Sequence, residues 1–199
     1  MNKDNVIFIR ENISVEYGDS DTWCNRGIAL CELGRFDQAL QAFNKAIELN
    51  PADSHAWCEK GFTLYDLDRN EEALKAIDKT LELDPDHFWA WFGKGIALGK
   101  LGRYEEALQV FDKALKLSPD CFDAWYEKAA ALCKLGSYEE ALQVYDYALE
   151  LCPEDYNAWY NKGTALSKLG RYEEAQTAFK KASPELKMNP KLIFLQPVY

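Results

Sequence analysis

Apolar residues recur at helical spacing inside short segments of this chain, and the segments themselves recur every 34 residues. Tryptophan marks the interval at Trp23, Trp57, Trp91, Trp125 and Trp159, and proline marks it at Pro51, Pro85, Pro119 and Pro153. An interval that does not drift is the mark of one structural unit repeated in space. Each copy opens with an apolar-periodic stretch that runs to a Leu-Gly pair, as at Leu33-Gly34, Leu101-Gly102, Leu135-Gly136 and Leu169-Gly170. Glycine there supplies the left-handed residue that ends a helix. An acidic pair then begins a second stretch, as at Glu71-Glu72 and Glu105-Glu106, where negative charge suits the positive end of a helix dipole. The second stretch runs to Leu-x-Pro. Proline stops it, and a nearby Asp or Ser can cap the next helix. The pattern predicts an all-α chain of five helix-turn-helix units, at residues 20–53, 54–87, 88–121, 122–155 and 156–183.

Helical phase then predicts the packing. At about 100° per residue, Trp91, Gly95, Leu98 and Leu101 share one face. Tryptophan is expected to supply the bulk of the core. The glycine four residues later should admit a neighbouring helix, with Ala39, Ala73, Ala107, Ala141 and Ala175 as its counterparts. Phe43, Phe111, Tyr145 and Phe179 fill the remaining space. Each fully buried apolar side chain contributes about 1.5–3 kcal/mol. One helix pair cannot bury its own apolar face, but stacked pairs can.

On these residues the chain resembles the tetratricopeptide repeats, whose pattern runs Trp…Gly…Ala…Phe…Pro. The wording Trp-x-x-Lys-Gly and Leu-Gly-Arg-Tyr-Glu-Glu-Ala is similar to the near-consensus microbial type. The resemblance implies a right-handed superhelical solenoid of five tetratricopeptide helix-turn-helix repeats, followed by a non-repeat C-terminal tail. It also implies first helices lining a concave groove, and a protein-interaction scaffold rather than an enzyme. Some positions depart from the family. Arg26, Lys60, Lys94, Lys128 and Lys162 stand where Leu is common, and their stems are expected to cover the core edge while the heads reach water. Ala129 replaces the core glycine of the fourth copy. The second copy has Asp68, Asn70 and Ile77 at the turn glycine, turn aromatic and large ring, so its turn is expected to be the weakest. In the fifth copy Pro184 should end the last helix early.

Two segments lie outside the repeats. In residues 1–19, Val6 to Ile9 suits a strand by its β-branching, while Val6, Ile9 and Ile13 suit a helix packed on the first copy. Residues 184–199 are apolar (Leu192-Ile193-Phe194-Leu195, Val198, Tyr199) and either seal the last helix pair or dock in a groove, their own or a neighbour's. The second alternative makes the chain a self-assembling module, a homo-oligomer joined through its tail or terminal helices.

Composition narrows the function. The 199 residues are 48% hydrophobic and 28% charged, as expected for one domain or a short solenoid. No apolar run is long enough to cross a membrane and no signal-peptide core is evident, so the expectation is a cytoplasmic protein without a membrane partner. A net charge of −10 disfavours nucleic acid and favours basic segments. Six cysteines include no Cys-x-x-Cys pair and read as reduced thiols, small hydrophobes that are buried or half-buried. There are two histidines, His55 and His87, and no phosphate loop or nucleophile elbow. No catalytic residue, cofactor or metal is therefore assigned. His55, Cys58 and Cys24 would suit zinc, but they lack standard spacing and a clear fourth ligand.

The partner is expected to be another protein or an extended peptide. By helical phase, the face opposite the core collects the residues two before, and one, five, eight and nine after, each repeat Trp. From it the candidate peptide-binding groove takes His55, Cys58, Phe62, Tyr65, Trp89, Phe92, Ile96, Lys100, Tyr126, Lys134, Tyr160 and Lys168. So many rings on a solvated face mark an interaction surface, unless adjacent first helices bury them between one another. Glu32 and Asp66 begin a row that Lys100, Lys134 and Lys168 continue, which suits a ligand with an acidic portion facing the last three copies. One chaperone-binding subclass of the family clamps a terminal carboxylate with Lys and Asn. Its positions here hold Cys24, Ile28, Cys58 and Phe62, so such tails are not expected as ligands.

Overall fold

A computed structural model describes residues 18–182. Among the described residues there are ten α-helices and no strand. The chain divides into two compact units, Met1–Leu101 and Gly102–Tyr199. In the first unit α1 (Ser20–Glu32) packs on α2 (Phe36–Leu49), α2 on α3 (Ser54–Asp66), α3 on α4 (Asn70–Leu83) and α4 on α5 (Phe88–Lys100). In the second, α6 (Tyr104–Leu117) packs on α7 (Phe122–Leu135), α7 on α8 (Tyr138–Leu151), α8 on α9 (Tyr156–Lys168) and α9 on α10 (Tyr172–Ala182). First helices of successive copies also touch, α1 with α3, α3 with α5, and α7 with α9. The expectations for Val6 to Ile13, for the stop at Pro184 and for the tail fall outside the described residues.

Short-range chemistry sets the helix ends. Asp19, Asp53 and Asp155 cap α1, α3 and α9, their carboxylates accepting from the N–H of Thr22, Ala56 and Ala158 at 2.9, 3.1 and 2.7 Å. His87 caps α5 through Nδ1. The turn inside each pair needs one left-handed residue. Gly34, Gly102, Gly136 and Gly170 take it, and in the second copy Asp68 does so at φ 58°. Asn70 supports that strained aspartate, its Nδ2 donating to Asp68 Oδ1 at 2.9 Å. The acidic pairs are more than dipole partners. Arg69 grips Glu72 with two bonds of 2.8 and 2.7 Å, and Arg171 grips Glu174 likewise at 2.7 and 2.6 Å.

The core differs from the expected one in two respects. Phe43, Ile77, Phe111 and Tyr145 are fully buried, among alanines such as Ala39, Ala73, Ala90 and Ala141. The repeat tryptophans are only half-buried. An indole N–H must find an acceptor, and here it finds the proline that ends the preceding helix. Trp57, Trp91, Trp125 and Trp159 donate to the carbonyls of Pro51, Pro85, Pro119 and Pro153 at 3.1, 2.7, 2.8 and 2.8 Å. Tryptophan is therefore a latch at the seam between copies rather than the main core filler. The glycine four residues on makes room chiefly for a ring or branched chain, not for alanine. A Cβ at Gly27 would lie 2.5 Å from Phe43, and one at Gly61 2.6 Å from Ile77.

The cations three residues after tryptophan complete the latch. Arg26, Lys60, Lys94, Lys128 and Lys162 each lie over their own tryptophan, at 5.2, 5.0, 5.9, 5.4 and 5.1 Å from the ring centroid. Lys94 and Lys128 also reach Asp78 and Asp112 on the preceding helix, both at 2.6 Å, and Lys162 reaches Asp146. Lys60 has Asn44 at the equivalent place. Burial pushes its pKa below the usual lysine range.

Candidate functional site

In the first unit one stripe of residues runs along each first helix. On α3 the stripe is His55, Glu59, Phe62 and Asp66, a spacing of one helical face. On α1 it is Asp21, Asn25, Ile28 and Glu32, and on α5 it is Trp89, Gly93, Ile96 and Lys100. His55, Trp89 and Lys100 are exposed, and Phe62 and Ile96 are half-buried. Trp89 is the most open of the candidate rings in the first unit, at 53% exposure. It meets Phe88 and Phe92 edge to face, with centroids 5.0 and 6.0 Å away. Phe62 occupies the space that Gly93 leaves by having no side chain; a Cβ there would lie 3.0 Å from its ring. Lys100 Nζ lies 5.9 Å from the Tyr65 ring centroid.

In the second unit Tyr126 and Lys134 stand on α7, and Tyr160 and Lys168 on α9. Tyr126 is half-buried. Its ring stacks on Phe122 at 5.9 Å and its hydroxyl accepts from Asn161 Nδ2 at 2.9 Å. Tyr126 also meets the buried Tyr145 edge to face at 6.2 Å. Burial pushes both phenols above the usual tyrosine range. Tyr160 is exposed and leans on Phe179 at 5.4 Å. Lys134 and Lys168 are exposed, and neither forms an ion pair with a described residue.

One candidate does not belong on this surface. Cys58 is 2% exposed, packed with Ile77 and Ala90, and Cys24 is likewise buried, against Phe43 and Ala56. The position after tryptophan faces the next copy, so a small side chain there is enclosed. Burial pushes both thiols up to about 12. Among the described residues no group of His, Cys, Asp or Glu gathers to hold a metal ion. The position two after tryptophan, Glu59 and Asn161 among its members, was not in the predicted set. Its signal was available: it completes the stripe with the positions two before, five after and nine after.

A depression of about 340 Å³ in the second unit is lined by Glu139, Asp146, Lys162, Arg171 and Glu174 among others. Its Lys and Arg are already engaged, with Asp146 and Glu174. What remains for recognition is a face of rings and single charges. Such a face can hold an extended chain by stacking and ion pairing.

Tetratricopeptide-repeat family models match residues 20–53, 58–120, 92–156 and 144–177. No curated protein matches the sequence. Several solved structures share the fold. A fragment of MamA from Desulfovibrio magneticus RS-1 has a TM-score of 0.79 at 24% identity, over 85% of this chain and 95% of that one. A MamA RS-1 double mutant gives 0.79 at 23% identity, over 87% and 97%. YrrB, described as a tetratricopeptide-repeat protein with an unusual peptide-binding site, gives 0.74 at 22% identity, over 92% and 93%.

Proposed function

The chain belongs to the tetratricopeptide-repeat family, and from that premise we propose that it is a non-enzymatic scaffold that holds an extended peptide or partner segment on the open face of its first helices. The observation that carries this reading is Trp89. Its ring stays 53% exposed although Phe88 and Phe92 meet it edge to face, so a large apolar surface is left open at this place on α5. The peptide-binding site ascribed to YrrB, a relative in fold, agrees in kind. Candidate contacts are His55, Phe62, Tyr65, Trp89, Phe92, Ile96 and Lys100 in the first unit, and Tyr126, Lys134, Tyr160 and Lys168 in the second. Lys134 and Lys168 of the second unit, exposed and without a described ion pair, are suited to carboxylates on the ligand.

The same reading places the scaffold in the cytoplasm, without nucleic-acid or membrane partners. Its support is the net charge of −10 and the finding that no described helix is long and apolar enough to cross a membrane. The test is capture of partners by the full chain, compared with a Trp89→Ala variant and a Lys100→Glu/Lys134→Glu/Lys168→Glu variant. A partner lost with Trp89→Ala supports the reading. The lysine reversal should weaken binding of an acidic partner and flatten its salt dependence. Unchanged affinity in both variants would overturn it.

A further inference from the structure

The open face of the first unit is charged in one sense. Asp21 and Glu32 stand on its α1 stripe, and Glu59 and Asp66 on its α3 stripe. Against these four carboxylates the three stripes hold one fixed cation, Lys100, and that one already lies over the Tyr65 ring. Elsewhere in the unit Glu48, Glu72, Glu82 and Asp78 are each paired with a lysine or arginine. No described cation pairs with Asp21, Glu32, Glu59 or Asp66. The basic residues of α1 and α3 are occupied elsewhere, Arg26 over Trp23 and Lys60 over Trp57.

Helical phase puts Glu59 and Asp66 on one stripe of α3, and α1 and α3 touch. Burial is the main cause that raises the Cys24 and Cys31 thiols; the charges of Asp53, Glu59 and Asp21 add to it at Cys24, and those of Glu59 and Asp66 at Cys31. The rings point the same way. In this unit Trp23, Trp57 and Trp91 each have a cation over the ring, while Trp89, the most exposed, has none among the described residues. Trp89 stands on the α5 stripe and the unpaired carboxylates on those of α1 and α3; a half-open indole with no described cation over it can take an ammonium or guanidinium.

We propose that the face formed by α1, α3 and α5 takes a basic peptide segment, its Lys or Arg side chains pairing with Asp21, Glu32, Glu59 and Asp66 and one of them stacking on Trp89. This rests on the peptide-binding reading above and adds the chemistry of the ligand on the first unit. Complementary charge selects the partner and rejects others: an acidic segment would set like charges against four carboxylates. Phe62 and Ile96, half-buried on the α3 and α5 stripes, offer apolar contact to an aliphatic residue between basic ones.

The test uses three short synthetic peptides with the same Leu and Phe residues, interspersed with Lys, Ser or Glu. Their binding to the full chain is read by fluorescence anisotropy. The expected order is Lys tighter than Ser, and Ser tighter than Glu. Glu59→Gln/Asp66→Asn should weaken the Lys peptide by about three- to tenfold and leave the Ser peptide unchanged. Trp89→Ala should weaken the Lys peptide as well. Glu71→Gln/Glu173→Gln removes the same charge from exposed sites at second-helix starts and should change nothing. If that control weakens the Lys peptide equally, bulk attraction to an acidic protein explains the binding and the proposal falls. Equal binding of the Lys and Ser peptides overturns the basic ligand while leaving a peptide face in place. Binding of neither overturns both.

Discussion

Lys128 has three tasks at once. Its stem covers the edge of the core, its ammonium lies over Trp125, and it pairs with Asp112. The equivalent Lys60 has the ring and the field of Glu72 but no ion pair among the described residues, because Asn44 stands where Asp78, Asp112 and Asp146 stand in later copies. Asn44→Asp should therefore stabilise the protein by about 0.2–1 kcal/mol. Its pair with Lys60 should raise the lysine pKa, which burial now depresses. Urea denaturation of the two proteins checks the first outcome. Buried thiols give a second prediction at this scale. Burial pushes the Cys24 and Cys58 thiols up to about 12, from an ordinary value of 9.0. The unfolded chain then releases these protons first. Stability should fall as pH rises from about 9 to about 12, and be fully retained below that window. Denaturation measured across the window should show a shallower fall in a Cys24→Ala/Cys58→Ala variant. An equal slope would show that other groups carry the alkaline loss.

At the scale of the helix pair, the contact that decides fit is glycine against the residue sixteen positions on. Gly27 faces Phe43, Gly61 faces Ile77 and Gly163 faces Phe179. Gly61→Ala puts a methyl 2.6 Å from Ile77 Cγ1 and 3.5 Å from the Ala73 carbonyl, so α3 and α4 must part. A loss of about 1–3 kcal/mol is expected, the range of an overpacked core. Gly61→Ala/Ile77→Val should recover part of it, since the shorter side chain yields space. The fourth copy already carries Ala129, fully buried in one cluster with Tyr145, and nothing in the structure explains how that pair avoids the crowding. Helix existence and type were legible at this scale. The Leu-Gly turns, acidic starts and proline stops are local signals, and local geometry obeys them. The partner of the glycine was not legible, because a 34-residue pattern places alanine and ring one turn apart on the same helix and cannot say which of them meets the facing backbone.

At the scale of the molecule, stability is shared between neighbouring copies, and function lies in positions that differ between them. The acidic and aromatic open face of α1, α3 and α5 and the lysines of α7 and α9 are such differences. So is the apolar segment 184–199. Removing 184–199 separates two readings of the whole chain. The scaffold reading expects no change in mass by light scattering, with the peptide still captured. A full chain that is oligomeric and becomes a folded monomer on truncation would instead favour self-assembly through the tail.

The sequence by itself determined the number of copies, the two helices in each and the residues that end them. These follow from periodicity, backbone conformation and capping, all of which act within a few residues. Trp89 and Lys100 are exposed, as helical phase alone predicts. Only the tertiary structure decided that tryptophan is a latch and that Cys58 is enclosed. Each depends on what a neighbouring segment presents: a proline carbonyl to the indole, a packed copy over the thiol. A side chain's direction is set by its own helix, but its burial and its partner are set by the next one.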